Sequence, residues 1–238
     1  MWMELLQIFR KGEPMAKLAK DFQEMVSITQ EMGELVKPHI FSMDLPLESS
    51  KKVYDLDVKV NKLERKIRKR VVAHVSLGRR NIPYCLLLMT LVKDVERVGD
   101  YLKNISEINR LGGGQIPAGG LREELEDLVG MAMLILQETP TILKAQDRER
   151  AIDLIQEGRS AGKRCDKLLV KLAESDFNAA QTTSLVLLTR FIKRIGGHLV
   201  NVLSSVVMPL HKVDFFDETL LKETAQDDKS DTDEPLAE

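Results

Sequence analysis

The sequence has little of several things, and each shortage excludes something. Two cysteines, Cys85 and Cys165, cannot build a disulfide framework or a thiolate zinc site, and they fit a reducing cytosol. Aromatic residues are 5% of the chain, and 14 glycines with 8 prolines are too few for the turns of an all-β sandwich. Of the four histidines, none lies four residues from another or three from a glutamate on a face that also carries the acids. A di-iron bundle built from Glu-x-x-His pairs is therefore not indicated. No apolar run approaches the ~18–20 residues that span a bilayer. The longest, Leu86 to Val98, is broken by Lys93, Asp94 and Glu96. The opening segment carries Glu4 and Gln7 among its apolar residues and no small-residue cleavage site, so no secretory signal is expected. There is no P-loop, no Gly-x-Ser-x-Gly and no dinucleotide fingerprint.

What is present reads as a globular chain of between one and two domains. Hydrophobic residues are 43% and charged residues 30%. The net charge of −2 hides an asymmetry. Residues 214–238 hold ten acids and two lysines, a net of −8, while residues 1–213 hold 33 basic and 27 acidic groups, a surplus of +6. The tail is polar and proline-tipped, so it cannot offset its ordering entropy and is expected to be disordered. It serves either as a solubilising terminus or as a screen over a basic surface until a partner competes for it.

Apolar periodicity predicts helices nearly throughout. Met15, Leu18, Phe22, Met25, Thr29, Met32 and Val36 step by three and four, the seam of a bundle helix. A second helix from about Glu48 turns Val53, Leu56, Val60, Leu63 and Ile67 inward. It turns Lys59, Lys62, Arg65, Lys66, Arg68, Lys69 and Arg70 outward. That basic run is either a solvated face or a surface for an acidic partner, the acidic tail or anionic lipid. A third helix, about Pro83 to Asn109, is apolar on more than one face at its start, including Leu86, and is expected to be the most buried. Five glycines and a proline within residues 112–120 then break the pattern; lacking a Lys-Ser/Thr ending, this run reads as a hinge. Three more helical patterns follow, over about 121–143, 147–174 and 179–212.

The two halves are related. Asp94-Val95-Glu96-Arg97-Val98-Gly99-Asp100-Tyr101-Leu102-Lys103-Asn104-Ile105 aligns with Phe191 to Val202 at a constant offset of 97, sharing Arg, Gly, Leu and Asn. The expected architecture is all-α, two tandem duplicated three-helix bundles. Its parts are a short amphipathic segment (1–13), a first bundle (14–111), a glycine-rich linker (112–120), a second bundle (121–213) and the acidic tail (214–238). The glycine shared mid-helix, Gly99 and Gly196, is expected to serve close backbone approach.

The copies differ where chemistry would be. Glu96 and Asp100, four residues apart, stack on one helix face. Asp57 and Asn61 have the same spacing on the preceding helix, so antiparallel packing can bring the two pairs face to face. Oxygen ligands in such a set suit a hard cation or ferric iron. The alternative is a solvated face in which the acids pair with Arg97 or Lys103. In the second half the corresponding residues are Gly158, Gly162, Lys193 and Gly197. A second bundle without metal, collapsed through its glycines, is expected.

The run Val95-Glu96-Arg97-Val98-Gly99-Asp100, with Asn104-Ile105 after it, resembles the helix-three signature of the PhoU phosphate-uptake regulators. Asp57-x-x-Val60-Asn61-x-x-Glu64 resembles their helix-two motif. The resemblance covers residues 15–213. It implies a non-enzymatic, cytoplasmic regulator of phosphate uptake or phosphate signalling, peripherally associated with the inner membrane. It implies contact with a phosphate transporter or sensor histidine kinase, a homodimer, and no nucleic-acid partner. Carried over by position, it makes Asp57, Asn61, Glu96 and Asp100 ligands of a metal ion in the first repeat, iron or another hard cation such as Mg, Mn or Ca. Lys62, Arg65, Lys66, Lys69 and Arg70 form the candidate partner surface. The competing readings are a metal-dependent hydrolase using the same carboxylates and a metal-free helical adaptor.

Overall fold

The structure, a computed structural model, describes residues 13–42, 44–78, 81–112 and 118–213. The expectations for segment 1–13, for most of the linker and for the acidic tail lie outside, or almost wholly outside, these residues. Six long helices account for most of the described chain: α1 (Glu13–Val36), α2 (Leu47–Ser76), α3 (Ile82–Glu107), α4 (Gly120–Ala145), α5 (Arg148–Ala173) and α6 (Ala179–Val207). No strand occurs among the described residues.

The helices begin and end where local chemistry allows. Asn178 and Gln181 form a reciprocal capping box at the start of α6, and the Asp147 carboxylate accepts from the Arg150 N–H at the start of α5. Gln146 takes the left-handed conformation, φ 58°, that closes α4 without a glycine. The sixth helical pattern stops at Val207 instead of running on to 212, because Pro209 cannot supply an N–H and biases its predecessor toward extended backbone. A short 3-10 turn, Leu210–Lys212, follows.

Helices α1, α2 and α3 pack on one another, as do α4, α5 and α6, and the two sets join through α3 against α6 and α1 against α4. All seven seam positions of α1 are buried, as are Val53, Leu56, Val60, Leu63 and Ile67 of α2. The third helix is the most buried, with 14 of its 26 residues inside, and α6 follows closely with 15 of 29, because both are flanked by their own bundle and by each other. Leu86, expected inside, is 55% exposed, because it stands on the side of α3 turned away from the buried Tyr84, Cys85, Leu87 and Leu88.

The α3–α6 contact also displays the duplication. The Asp94 carboxylate lies 2.7 Å from His198 Nδ1 and accepts from Asn201 at 3.2 Å. Tyr101 meets Phe191 and stacks on His198, both at 5.8 Å between ring centroids. Under the offset of 97, Asp94 corresponds to Phe191 and Tyr101 to His198. The polar pair and the aromatic pair are therefore mates about a local two-fold, and the Tyr101–His198 stack sits across it.

The shared glycine has a different role from the one expected. A Cβ on Gly99 would meet Val60, Thr29 and Met32 at ordinary distances of 3.6–3.8 Å, and one on Gly196 would meet nothing within 4 Å. Neither position requires glycine for close approach. Close approaches fall instead at Gly158, where a Cβ would stand 2.7 Å from Val200 Cγ2 and 3.0 Å from Ile135 Cδ1, and at Gly33, where one would stand 2.6 Å from Leu136 Cδ2.

Candidate functional site

Asp57 and Asn61 lie one turn apart on the inward side of α2, between Leu56 and Val60 of its apolar seam. Asp57 is buried and Asn61 partly so. Glu96 and Asp100 occupy the corresponding stretch of α3, Glu96 buried and Asp100 partly exposed. Contact between α2 and α3 brings the set into one connected cluster.

At its centre is a lysine. Lys103 Nζ donates to Asp57 Oδ2 at 2.9 Å and to Asp100 Oδ1 at 3.2 Å, bridging the two helices. Asn61 donates its amide to the same Asp57 oxygen at 3.2 Å. Glu96 is outside this bridge. Its Oε2 accepts from Lys93 Nζ at 2.7 Å and lies 3.8 Å from Arg97 Nε, and Arg97 Nη1 lies 3.7 Å from Asp100 Oδ2. The structure thus gathers Asp57 and Asp100 on one ammonium, attaches Asn61 through Asp57, and ties Glu96 to them through Arg97.

Burial acts to lower the pKa of Lys103, but the hydrogen bonds to Asp57 and Asp100 and the charges of those carboxylates outweigh it, and the net shift is upward. The side chain stays an ammonium, a compact cation with three donors. The donor set as found does not fit a metal ion. Hard cations bind oxygens at about 2.0–2.6 Å, and here Asp57 and Asp100 converge on Nζ while Glu96 is turned to Lys93. Among the described residues no group of three or more His, Cys, Asp or Glu side chains is placed to hold a metal.

The second repeat holds a different arrangement at the corresponding place. Lys193 Nζ donates to both oxygens of Asp166, on the preceding helix, at 2.5 and 2.6 Å. Gly158, Gly162, Gly196, Cys165 and Lys193 help line a void of about 10 Å³, room for one water at most. Cys165 is buried there, and burial pushes its thiol up to about 11, so it is an inert packing residue. Collapse through all the glycines does not occur. Only Gly158 makes a close approach; a Cβ on Gly162 or Gly197 would meet nothing within 4 Å.

The basic face of α2 divides in two. Lys66 Nζ lies 2.8 Å from Asp21 Oδ1, and Arg70 Nη1 pairs with the other oxygen of the same buried aspartate, so these two cations fasten α2 to α1. Lys62, Arg65 and Lys69 are exposed and make no ion pair among the described residues. Around the end of the α2–α3 hairpin, Val72, Leu77, Ile82 and Leu86 are exposed as well.

The pairing of the acids with Arg97 and Lys103, one of the two alternatives read from the sequence, is present, but the reach of Lys103 to Asp57 depends on the register of two helices. Two further groups were not legible in the sequence. Asp21 and Asp166 stand in helices whose local pattern marks them only as polar positions. The Asp94–His198–Asn201 group spans the two halves, so no local spacing signals it.

Comparison with known proteins was consistent across sequence and structure. A family model described as PhoU domain matches residues 22–108, the stretch that carries Asp57, Asn61, Glu96 and Asp100. The chain is 22% identical over 200 residues to the phosphate-specific transport system accessory protein PhoU homolog 1 of Thermotoga maritima, covering 80% of this chain and 84% of that one. It is 24% identical over 208 residues to the corresponding PhoU homolog of Rhizobium meliloti, covering 82% and 84%. Among solved structures, PhoU from Pseudomonas aeruginosa superposes with a TM-score of 0.72 at 18% identity, over 83% of this chain and 97% of that one. The phosphate transport system regulatory protein PhoU from Streptococcus pneumoniae gives 0.70 at 15% identity, over 85% and 97%.

Proposed function

Because this chain belongs to the PhoU family, we propose that it is a non-catalytic accessory regulator of phosphate transport, acting at the cytoplasmic side of the membrane by binding the transport machinery or its sensor kinase. The observation that carries this reading is the agreement between the PhoU domain match over 22–108 and relatives that are themselves named accessory proteins of a phosphate-specific transport system. The chain contributes no helix among its described residues long and apolar enough to cross a membrane, so contact with a membrane-embedded partner has to be made from a surface.

The surface we assign to that contact is the outward stripe of α2, Lys62, Arg65 and Lys69. Three cations within two turns, with no ion pair among the described residues, present a field that attracts an acidic partner. Lys66 and Arg70 belong to the same run but are occupied by Asp21, so they are assigned to packing instead.

A hydrolase reading has less support. It needs carboxylates free to take a metal and activate water, and here Asp57, Glu96 and Asp100 are each held by a lysine or arginine.

Charge reversal tests both parts of the proposal. The triple variant K62E/R65E/K69E is expected to keep its helical circular-dichroism spectrum and to lose co-purification with the phosphate transporter or kinase from membranes. Wild-type retention by this variant would remove α2 from the interface. Phosphate uptake unaffected by deletion of the gene, under both phosphate excess and starvation, would remove the function.

A further inference from the structure

The acidic cluster of the leading repeat is charge-balanced without any added ion. Asp57, Glu96 and Asp100 supply three negative charges, and Lys103, Lys93 and Arg97 supply three positive ones, each in contact with at least one of the acids. A divalent or trivalent metal would enter a group that is already neutral and would have to expel the Lys103 ammonium to reach Asp57 and Asp100 together. Asn61, where a second carboxylate would have strengthened such a site, instead donates an N–H toward Asp57. A donor aimed into the group is the opposite of what a metal ligand offers.

The trailing repeat carries a shallower counterpart: the Asp166 side chain is 54% exposed, where that of Asp57 is 6% exposed. Lys193 on α6 reaches Asp166 on α5, as Lys103 on α3 reaches Asp57 on α2. The two lysines are not equivalent under the duplication. At the offset of 97, Lys103 corresponds to Val200, and Lys193 corresponds to Glu96. An ammonium therefore links the second and third helices of each bundle from two different positions, so it was not inherited as one residue copied twice. What the two halves have in common is an ammonium between those helices, set against a buried aspartate in one and an exposed one in the other.

We infer that each bundle of this chain is fastened by a lysine ammonium where a metal ion would otherwise join its second and third helices, so that the protein is a metal-independent form of its architecture. Lys103 acts as the cation of the leading repeat and Lys193 as that of the trailing one. This holds whatever partner the protein regulates, since it concerns what closes the bundles.

The test uses the full chain, purified without chelator from cells grown with iron and manganese. Elemental analysis is expected to find less than about 0.1 equivalent of any transition metal per chain, with the melting temperature unchanged by EDTA or by added Mn²⁺. Near-stoichiometric iron, manganese or zinc, removable by EDTA with a fall in Tm, would overturn the inference. Lys103→Ala leaves Asp57 buried without its cation and is expected to lower Tm by roughly 5 °C or more, or to prevent folding. The double variant Asp57→Asn/Lys103→Met, which removes both charges, is expected to fold and to recover most of that loss. A Lys103→Ala protein with the wild-type Tm would equally overturn it.

Discussion

At the scale of single residues, the same residue type carries opposite instructions depending on what faces it. Glycine is the clearest case. Gly158 is pressed between Val200 and Ile135, and Gly158→Ala is expected to cost about 1–3 kcal/mol through overpacking. Gly196 stands in a helix with no atom within 4 Å of where a Cβ would be, so Gly196→Ala is expected to gain up to about 1 kcal/mol from helix propensity. Urea denaturation of the two variants beside wild type separates them by sign. Both glycines looked alike in the sequence, and Gly196 had the stronger motif behind it. The distinction lies in the side chains of other helices, which local spacing does not report. Charged residues behave the same way. Lys62 and Lys66 are one turn apart on one helix, yet Lys66 is committed to Asp21 and Lys62 is not.

At the scale of elements, helix existence and inward faces followed from period and punctuation. The α1 seam and the α2 stripe are buried as read, because an apolar residue every three or four positions has one stable use in water. Helix ends were less legible, since they depend on caps and on the carbonyls left unpaired. The join between α4 and α5 shows what holds successive helices in register. Arg150 Nε and Nη2 grip the two oxygens of Glu138 at 2.6 and 2.7 Å. The hydrogen bonds from Arg150 hold the Glu138 carboxyl below the usual carboxylate range, against a small opposing effect of burial. A carboxyl whose pKa is lowered by folding contributes stability above its unfolded pKa and loses it as pH falls through the lowered value. Glu138→Gln is therefore expected to cost less than about 1 kcal/mol at pH 7, the pair being about a third exposed, and nothing once the pH is well below the carboxylate range. Thermal melts of both proteins at pH 7 and pH 3 check the convergence. The capping box of α6 makes a separate expectation: Asn178→Ala costs about 1 kcal/mol, read in the same denaturation assay.

At the scale of the whole molecule, the duplicated bundles are joined back to back through α3 and α6, and the polar group at that contact is a single aspartate serving both halves. Asp94 is 7% exposed and takes its partners, His198 and Asn201, entirely from the other repeat. Asp94→Ala would strand both of them at a buried interface. The expected cost is about 1–3 kcal/mol, measured as a drop in the urea midpoint. A loss below a few tenths of a kcal/mol would mean that the interface is held by its apolar contacts alone. The regulatory reading and the lysine-fastened bundles belong to this scale as well, because each depends on surfaces and bridges that no single helix possesses.

The sequence by itself determined the class of this protein: helices from the three-and-four spacing and duplication from the constant offset of 97. These are local or self-referential signals, readable wherever a residue's use is set by its neighbours in the chain. Only the tertiary structure decided what the acids of α2 and α3 hold. A carboxylate binds whichever cation the packing brings within about 3 Å, and the register of α2 against α3 put the Lys103 ammonium there.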